Sequence, residues 1–281
     1  MRLAAPPRFF VLTGLGLTLV LSSVAALPRS VLLPPRSSAD AQPLIAAASP
    51  AQTERPVPFK VGETLEYDVS WSSILVAGTA TLKVQDKRAS YGSTAYYIYA
   101  EGRPTPLVAR LYSLYYKADA LLDVYTLLPQ RAAQYSDENG QQRMKVTLFD
   151  QARRSADYEV RTATLVKKRL TLSQGTHDLV SLLFLIRASP LLDGGRITVP
   201  VTDSGELYTV RMMIGARAPI RTPAGTFNAW RLVPLATDSE GQQVDNNIVI
   251  WMSDDARRLP VKLEAELPVG TFVLVLRSAT L

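Results

Sequence analysis

His177 is the only histidine in a chain of 281 residues that has no cysteine, so most side-chain chemistry has few places to start. Asp178 adjoins it and Ser181 lies four residues further on, which are the residue types of a Ser-His-Asp triad. The spacing counts against that role. Neighbouring residues on a helix point in different directions, and Ser181 lacks the exposed strand-to-helix turn of a G-x-S-x-G nucleophile. His177 therefore reads as a first-turn or capping residue. A zinc site would have too few preferred ligands. Acidic loops at Asp137, Glu138 and Asn139, and at Asp238, Glu240 and Asp245, miss the EF-hand spacing. The acid pairs Asp203/Glu206 and Asp254/Asp255 are the carboxylates available for glycan or ester cleavage. No glycine-rich phosphate loop follows a strand and opens a helix. No cofactor is expected.

Tyrosine is the residue type that clusters. All but two of the 12 tyrosines lie between Tyr91 and Tyr158. An apolar ring with a polar tip suits both sheet packing and the wall of an amphipathic groove. A groove would use Tyr96, Tyr97, Tyr99, Tyr112, Tyr115 and Tyr116. On a strand, Tyr97 and Tyr99 share one face and Tyr96 takes the other.

These residues need elements to hold them. From Phe59 onward the pattern has period 2: Leu65, Tyr67, Val69 and Trp71 alternate with polar residues, then Ala80, Leu82 and Val84 do the same. Further strands are expected at 95–100, 111–117, 131–136, 142–149 and 158–170. After the glycine pair at 194–195 they recur at 196–201, 208–214, 229–236, 247–252, 261–266 and 271–276. Short turns such as Asn139-Gly140 and Ser204-Gly205 make the connections antiparallel hairpins. One segment breaks the rule. Thr176 to Ser189 predicts a helix, with Thr176 as N-cap and Asp178 in the first turn. Leu179, Leu182, Leu183 and Ile186 form one stripe, and Val180, Phe184 and Leu185 cover much of the rest. A short helix apolar nearly all round must be enclosed. A second short helix is expected over 104–111. The fold expected is mainly β: a single curved antiparallel sheet, or partly open barrel, wrapped around a buried apolar helix.

The N-terminus reads as an export signal. Arg2 and Arg8 precede an apolar run from Phe9 to Leu21, with small residues at Ser22, Ser23, Ala25 and Ala26. Residues 1–26 are expected to be a signal peptide, 27–56 a Pro/Ala-rich tether, and 57–281 a periplasmic β-domain. The run is short for a membrane span; retained uncleaved, it would anchor the chain in the inner membrane. The formal charge of +6 falls to +4 when Arg2 and Arg8 leave. That is too small and dispersed for nucleic acid, though it allows contact with an anionic membrane surface.

Several phrases in order resemble one family. They are PFKVGETLEY from Pro58, AGTA from Ala77, DVYTLLP from Asp123, Phe149-Asp150, HDLVS from His177, TPAGTF from Thr222 and SDDARRLPV from Ser253. Together they are similar to the exported bacterial proteins grouped as domain of unknown function 3108. The resemblance covers residues 56–281 and implies a periplasmic, mainly β protein with no assigned activity. The architecture also resembles half-barrel lipoprotein carriers. The expected function is non-catalytic: a lipid-like, apolar or amphipathic ligand held between sheet and helix, at the tyrosines named above with Leu179, Leu182, Leu183 and Ile186. An envelope-assembly or purely structural role with a protein partner, and an envelope hydrolase using carboxylates such as Asp254 and Asp255, are the alternatives.

Overall fold

A computed structural model describes residues 53–72, 75–111, 113–244, 247–267 and 270–280. The expected signal peptide, most of the tether, Tyr112 and Asp245 lie outside them. The chain builds one antiparallel sheet. Its first half runs β1 (Thr64–Trp71), β2 (Leu75–Ser90), β3 (Ser93–Pro104), α1 (Pro106–Leu111), β4 (Leu114–Asp123), β5 (Pro129–Glu138), β6 (Gln141–Asp150), β7 (Ser155–Arg161) and β8 (Leu165–Thr171). Helix α2 (Leu179–Arg187) follows. The second half is β9 (Arg196–Asp203), β10 (Glu206–Thr222), β11 (Gly225–Asp238), β12 (Gln243–Val244), β13 (Asn247–Ser253), β14 (Pro260–Leu267) and β15 (Gly270–Thr280). The hydrogen-bonded order is β8 through β1, then β15, β14, β13, β11, β10 and β9, with β12 paired to β11. The terminal strands β1 and β15 thus meet mid-sheet, and β8 and β9 are the two edges.

The sheet is not closed into a barrel by backbone hydrogen bonds, but it curls until the tip of the β9–β10 hairpin reaches the opposite wing. Gln134 Nε2 donates to Asp203 Oδ1 at 3.0 Å, Lys145 Nζ to Ser204 Oγ at 2.7 Å, and Lys168 Nζ to Glu206 Oε1 at 2.9 Å. Gly205, with φ +79°, lies against the Tyr158 ring so closely that a Cβ would collide with it. Leu207 packs on the Ala156, Tyr158, Leu170 and Leu172 cluster.

The concave side holds α2. Phe184 enters a core with Phe59, Leu65, Tyr96, Ile98 and Leu122, while Leu182 and Ile186 enter another with Val199, Val210, Met212 and Leu232. Phe59 is edge-on to both Tyr96 and Phe184, at centroid distances of 5.3 and 4.7 Å. Leu179, Val180, Leu183 and Leu185 are only half-buried. Among the described residues no helix is long and apolar enough to cross a membrane.

Three local expectations change. The segment 158–170 is a hairpin, β7 turning into β8 at Thr162–Thr164, without the Gly, Pro or Asn that usually marks a turn. The helix starts later than Thr176, because Asp178 is the N-cap: its Oδ1 accepts from the N–H groups of Val180 and Ser181. His177 is held extended instead, its N–H donating to Pro200 O and its carbonyl accepting from Thr202 N–H. Residues 111–117 are not one strand; α1 extends to Leu111, and β4 begins at Leu114.

Candidate ligand cavity

A cavity of about 180 Å³ lies between α2 and the concave sheet. Its size is set by the floor. Inward positions elsewhere on the sheet carry Val84, Ile98 and Leu122, all buried in the core, and Leu82 stands at the cavity's border. At the cavity the inward positions are Ala80, Ala100, Gly102, Ala118 and Ala132. Ala100 pairs directly with Ala118, and Ala80 with Gly102, so the small residues adjoin across three strands. Leu179, Val180 and Leu183 of α2 face them, and Leu263 and Leu274 add apolar wall. Tyr67 also lines the space, its hydroxyl donating to Pro260 O at 2.9 Å.

One part of the lining is polar. Asp178, Tyr116 and Gln134 all border the cavity, and Asp178 Oδ2, the Tyr116 hydroxyl and Gln134 Oε1 have no hydrogen-bond partner. Asp178 is 6% exposed and Tyr116 9%. Burial pushes the Asp178 carboxyl up to about 6, against the helix-capping bonds that favour its charged form. Burial, and then the nearby Asp203 and Asp178 carboxylates, push the Tyr116 phenol up as well. Gln134 is oriented by the hydrogen bond that its amide Nε2 donates to Asp203, which turns Oε1 away from that carboxylate.

The residues expected to form the groove divide between the two faces. Tyr116, Leu179 and Leu183 line the cavity. Leu182 and Ile186 pack on the opposite side of α2, in the core with β9 and β10, and Tyr96 is buried beside Phe59. Tyr97, Tyr99 and Tyr115 lie on the other face of the sheet, where Arg88, Lys117 and Arg103 stand 4.1, 5.0 and 4.9 Å from their ring centres. Strand parity makes this split: consecutive tyrosines cannot share a face. The residues missed were the polar ones, Gln134 and Asp178, and the alanine floor. The floor's signal is alternation of small residues at inward positions, which reads as an ordinary strand unless the opposing helix is placed.

His177 Nδ1 does lie 3.1 Å from Ser181 Oγ. The Asp178 carboxylate caps the helix rather than orienting the imidazole, and neither His177 nor Ser181 borders the cavity. Burial also holds His177 down, to about 4, so the ring is neutral. Asp254 accepts from Arg217 Nη1 and Trp230 Nε1, and Asp255 from Ser253 Oγ and the Arg257 guanidinium. These bonds hold both carboxyls below their usual range despite the burial that opposes them at Asp255. Among the described residues no group of three His, Asp or Glu side chains could hold a metal.

Residues 66–277 match the family described as protein of unknown function, DUF3108. The chain belongs to that family. Its fold is similar to the crystal structure of a β-barrel-like protein of domain of unknown function DUF1849 from Brucella abortus, with a TM-score of 0.50 at 10% identity over 78% of this chain and 97% of that one. A candidate lipoprotein from Parabacteroides distasonis aligns at a TM-score of 0.32 and 9% identity, covering 80% of this chain and 98% of that one. A candidate exported protein with a YmcC-like fold from Bacteroides fragilis aligns at 0.32 and 11% identity, covering 82% and 100%. Among curated proteins none matches.

The phrases that carry the DUF3108 resemblance are structural in this chain. Gly78 sits where a Cβ would run into the Arg103 carbonyl. Asp123 organises the DVYTLLP turn, its Oδ1 accepting from the N–H groups of Tyr125 and Thr126. Glu63 of the V-G-E turn takes both terminal nitrogens of Arg187, at 2.6 and 2.9 Å. Arg187 also donates to the carbonyls of Arg257 and Arg258 in the DDARRLP loop. One buried guanidinium thus ties together three stretches far apart in sequence.

Proposed function

We propose that this is a non-catalytic cell-envelope protein, exported by its leader, that binds or carries the apolar part of a small amphipathic molecule between α2 and the concave sheet. The carrying observation is the cavity itself. Close-packed interiors leave few voids larger than a water molecule. Here a partly open space of about 180 Å³ is bounded by leucines on one side and alanines on the other. An apolar cavity of ~150 Å³ admits a benzene-sized molecule, so an aromatic ring or short alkyl chain has room. A hydrolase gains no support from carboxylates committed to arginines. A purely structural role in an envelope complex would leave such a space without a use.

Native mass spectrometry of protein purified from the periplasm tests the reading. The expected result is a one-to-one adduct of low mass, lost on denaturation and recovered in organic extract. Ligand-free protein that also fails to take up an added octyl compound would end the proposal.

A further inference from the structure

The cavity has an apolar body and a polar pole, and the polar pole has a definite hydrogen-bonding character. Asp178 Oδ2 and Gln134 Oε1 can only accept while the carboxyl is ionised; the Tyr116 hydroxyl can donate or accept. None of the three has a partner, although buried polar groups are paired in the great majority of cases. The other buried side-chain atoms without a hydrogen-bond partner among the described residues are Ser90 Oγ, Gln130 Oε1 and Arg258 Nη1, the last ion-paired with Asp254, and their residues do not border the cavity. Three of these six atoms thus belong to residues that border the one cavity.

We infer that the cavity recognises an amphiphile whose head group donates hydrogen bonds, a hydroxyl or an amine, docked on Asp178, Gln134 and Tyr116, and that it rejects a carboxylate. This rests on the apolar-ligand reading above and deepens it. A hydroxyl donates to one acceptor and accepts from Tyr116; an ammonium donates to all three. A carboxylate would bring only acceptors, and its negative charge would face Asp178, with Asp203 close behind on Gln134. Lys145, attracted to Asp203 on that side, is engaged with Ser204, and burial lowers its affinity for a proton. Nor does His177 offer a charge to an anion, being neutral and turned toward Ser181.

Calorimetric titration of the full exported chain with octan-1-ol, octylammonium and octanoate tests this, since the three probes share one apolar tail. Octanol and octylammonium are expected to bind at least about tenfold more tightly than octanoate, a gap of about 1.4 kcal/mol. Asp178→Asn keeps an N-capping oxygen, and Tyr116→Phe keeps the ring. In each, with circular dichroism unchanged, the gap should shrink to threefold or less. Equal binding of all three probes, a preference for octanoate, or a gap untouched by both variants would overturn the head-group assignment and leave the apolar cavity standing. If no probe binds, the ligand reading falls and the assignment falls with it.

Discussion

At its C-terminal end α2 buries Arg187 against Glu63; just before its N-terminal end it buries Asp178 near Tyr116 and Gln134. The two settings are alike in burial: Arg187 and Glu63 are each 1% exposed, and Asp178 is 6% exposed. They differ in completion. The guanidinium has two carboxylate oxygens, two backbone carbonyls and the rings of Phe59 and Phe184 within 5.4 Å. The Asp178 end has three buried polar atoms without hydrogen-bond partners, on residues that border the cavity. A fully satisfied buried ion pair fixes where a helix docks. An unsatisfied cluster beside a cavity raises the energy of the empty protein and gives a ligand something to gain. One end of the helix is tied fully into the fold, and the other keeps hydrogen-bonding capacity unmet beside a cavity.

Breaking the satisfied end should cost most. Arg187→Met leaves Glu63 buried without a counter-charge, and the expected loss is about 3–5 kcal/mol in urea unfolding. Adding Glu63→Gln should recover much of it. A single-variant loss under about 1 kcal/mol would mean that the pair is not what anchors α2.

The unsatisfied end should respond with the opposite sign. Asp178 has its carboxyl raised from 3.8 to about 6. A raised acid pKa means that the folded chain holds more protons, so stability falls as pH rises from about 4 to 6 and stays reduced above it. His177 is lowered from 6.5 to about 4, so its contribution rises over nearly the same window. Each shift corresponds to about 3 kcal/mol, and the two largely offset. Asp178→Asn should therefore be more stable than the parent at pH 7. Its stability should climb by roughly 3 kcal/mol between pH 4 and 6.5, where the parent stays nearly flat. Denaturation midpoints at several pH values check this; a variant as flat as the parent would remove the asymmetry between the ends.

The smallest effect compares two alanines on neighbouring strands. Ala100→Val adds methyls into the cavity, and its stability should change by less than about 1 kcal/mol while octanol binding is lost. Ala120→Val, at a fully buried position outside the cavity, should cost about 1–3 kcal/mol and leave binding in place. Equal costs would indicate that the floor is as tightly packed as the rest.

Much of the fold was legible in local pattern. Leu65, Tyr67 and Val69 alternate inward as read, and Asn139-Gly140 turns the chain between β5 and β6 with both residues at positive φ. Trp71 does not continue the buried series: it is exposed at the end of β1 and stacks on Phe272. β10 was read short. A register shift between Ile214 and Arg217 lets it continue to Thr222, and a bulge of this kind leaves only a break in alternation that resembles a strand end. The site was less legible. Strand parity separated Tyr96 from Tyr97 and Tyr99, but could not say which face met the helix. The capping role of Asp178 was hidden by Thr176, another capping residue type in sequence, until pairing with β9 drew His177 out of the helix.

The order of turns and two-residue alternation were enough to make this chain an antiparallel β-protein with one apolar helix, because hairpins and helix caps depend on residues close together in sequence. The Arg187–Glu63 pair joins positions 124 residues apart, and the cavity exists only because small side chains on four strands face leucines on the helix. Those features depend on which faces meet when the sheet curls, and curvature is a sum over every strand that no local window contains.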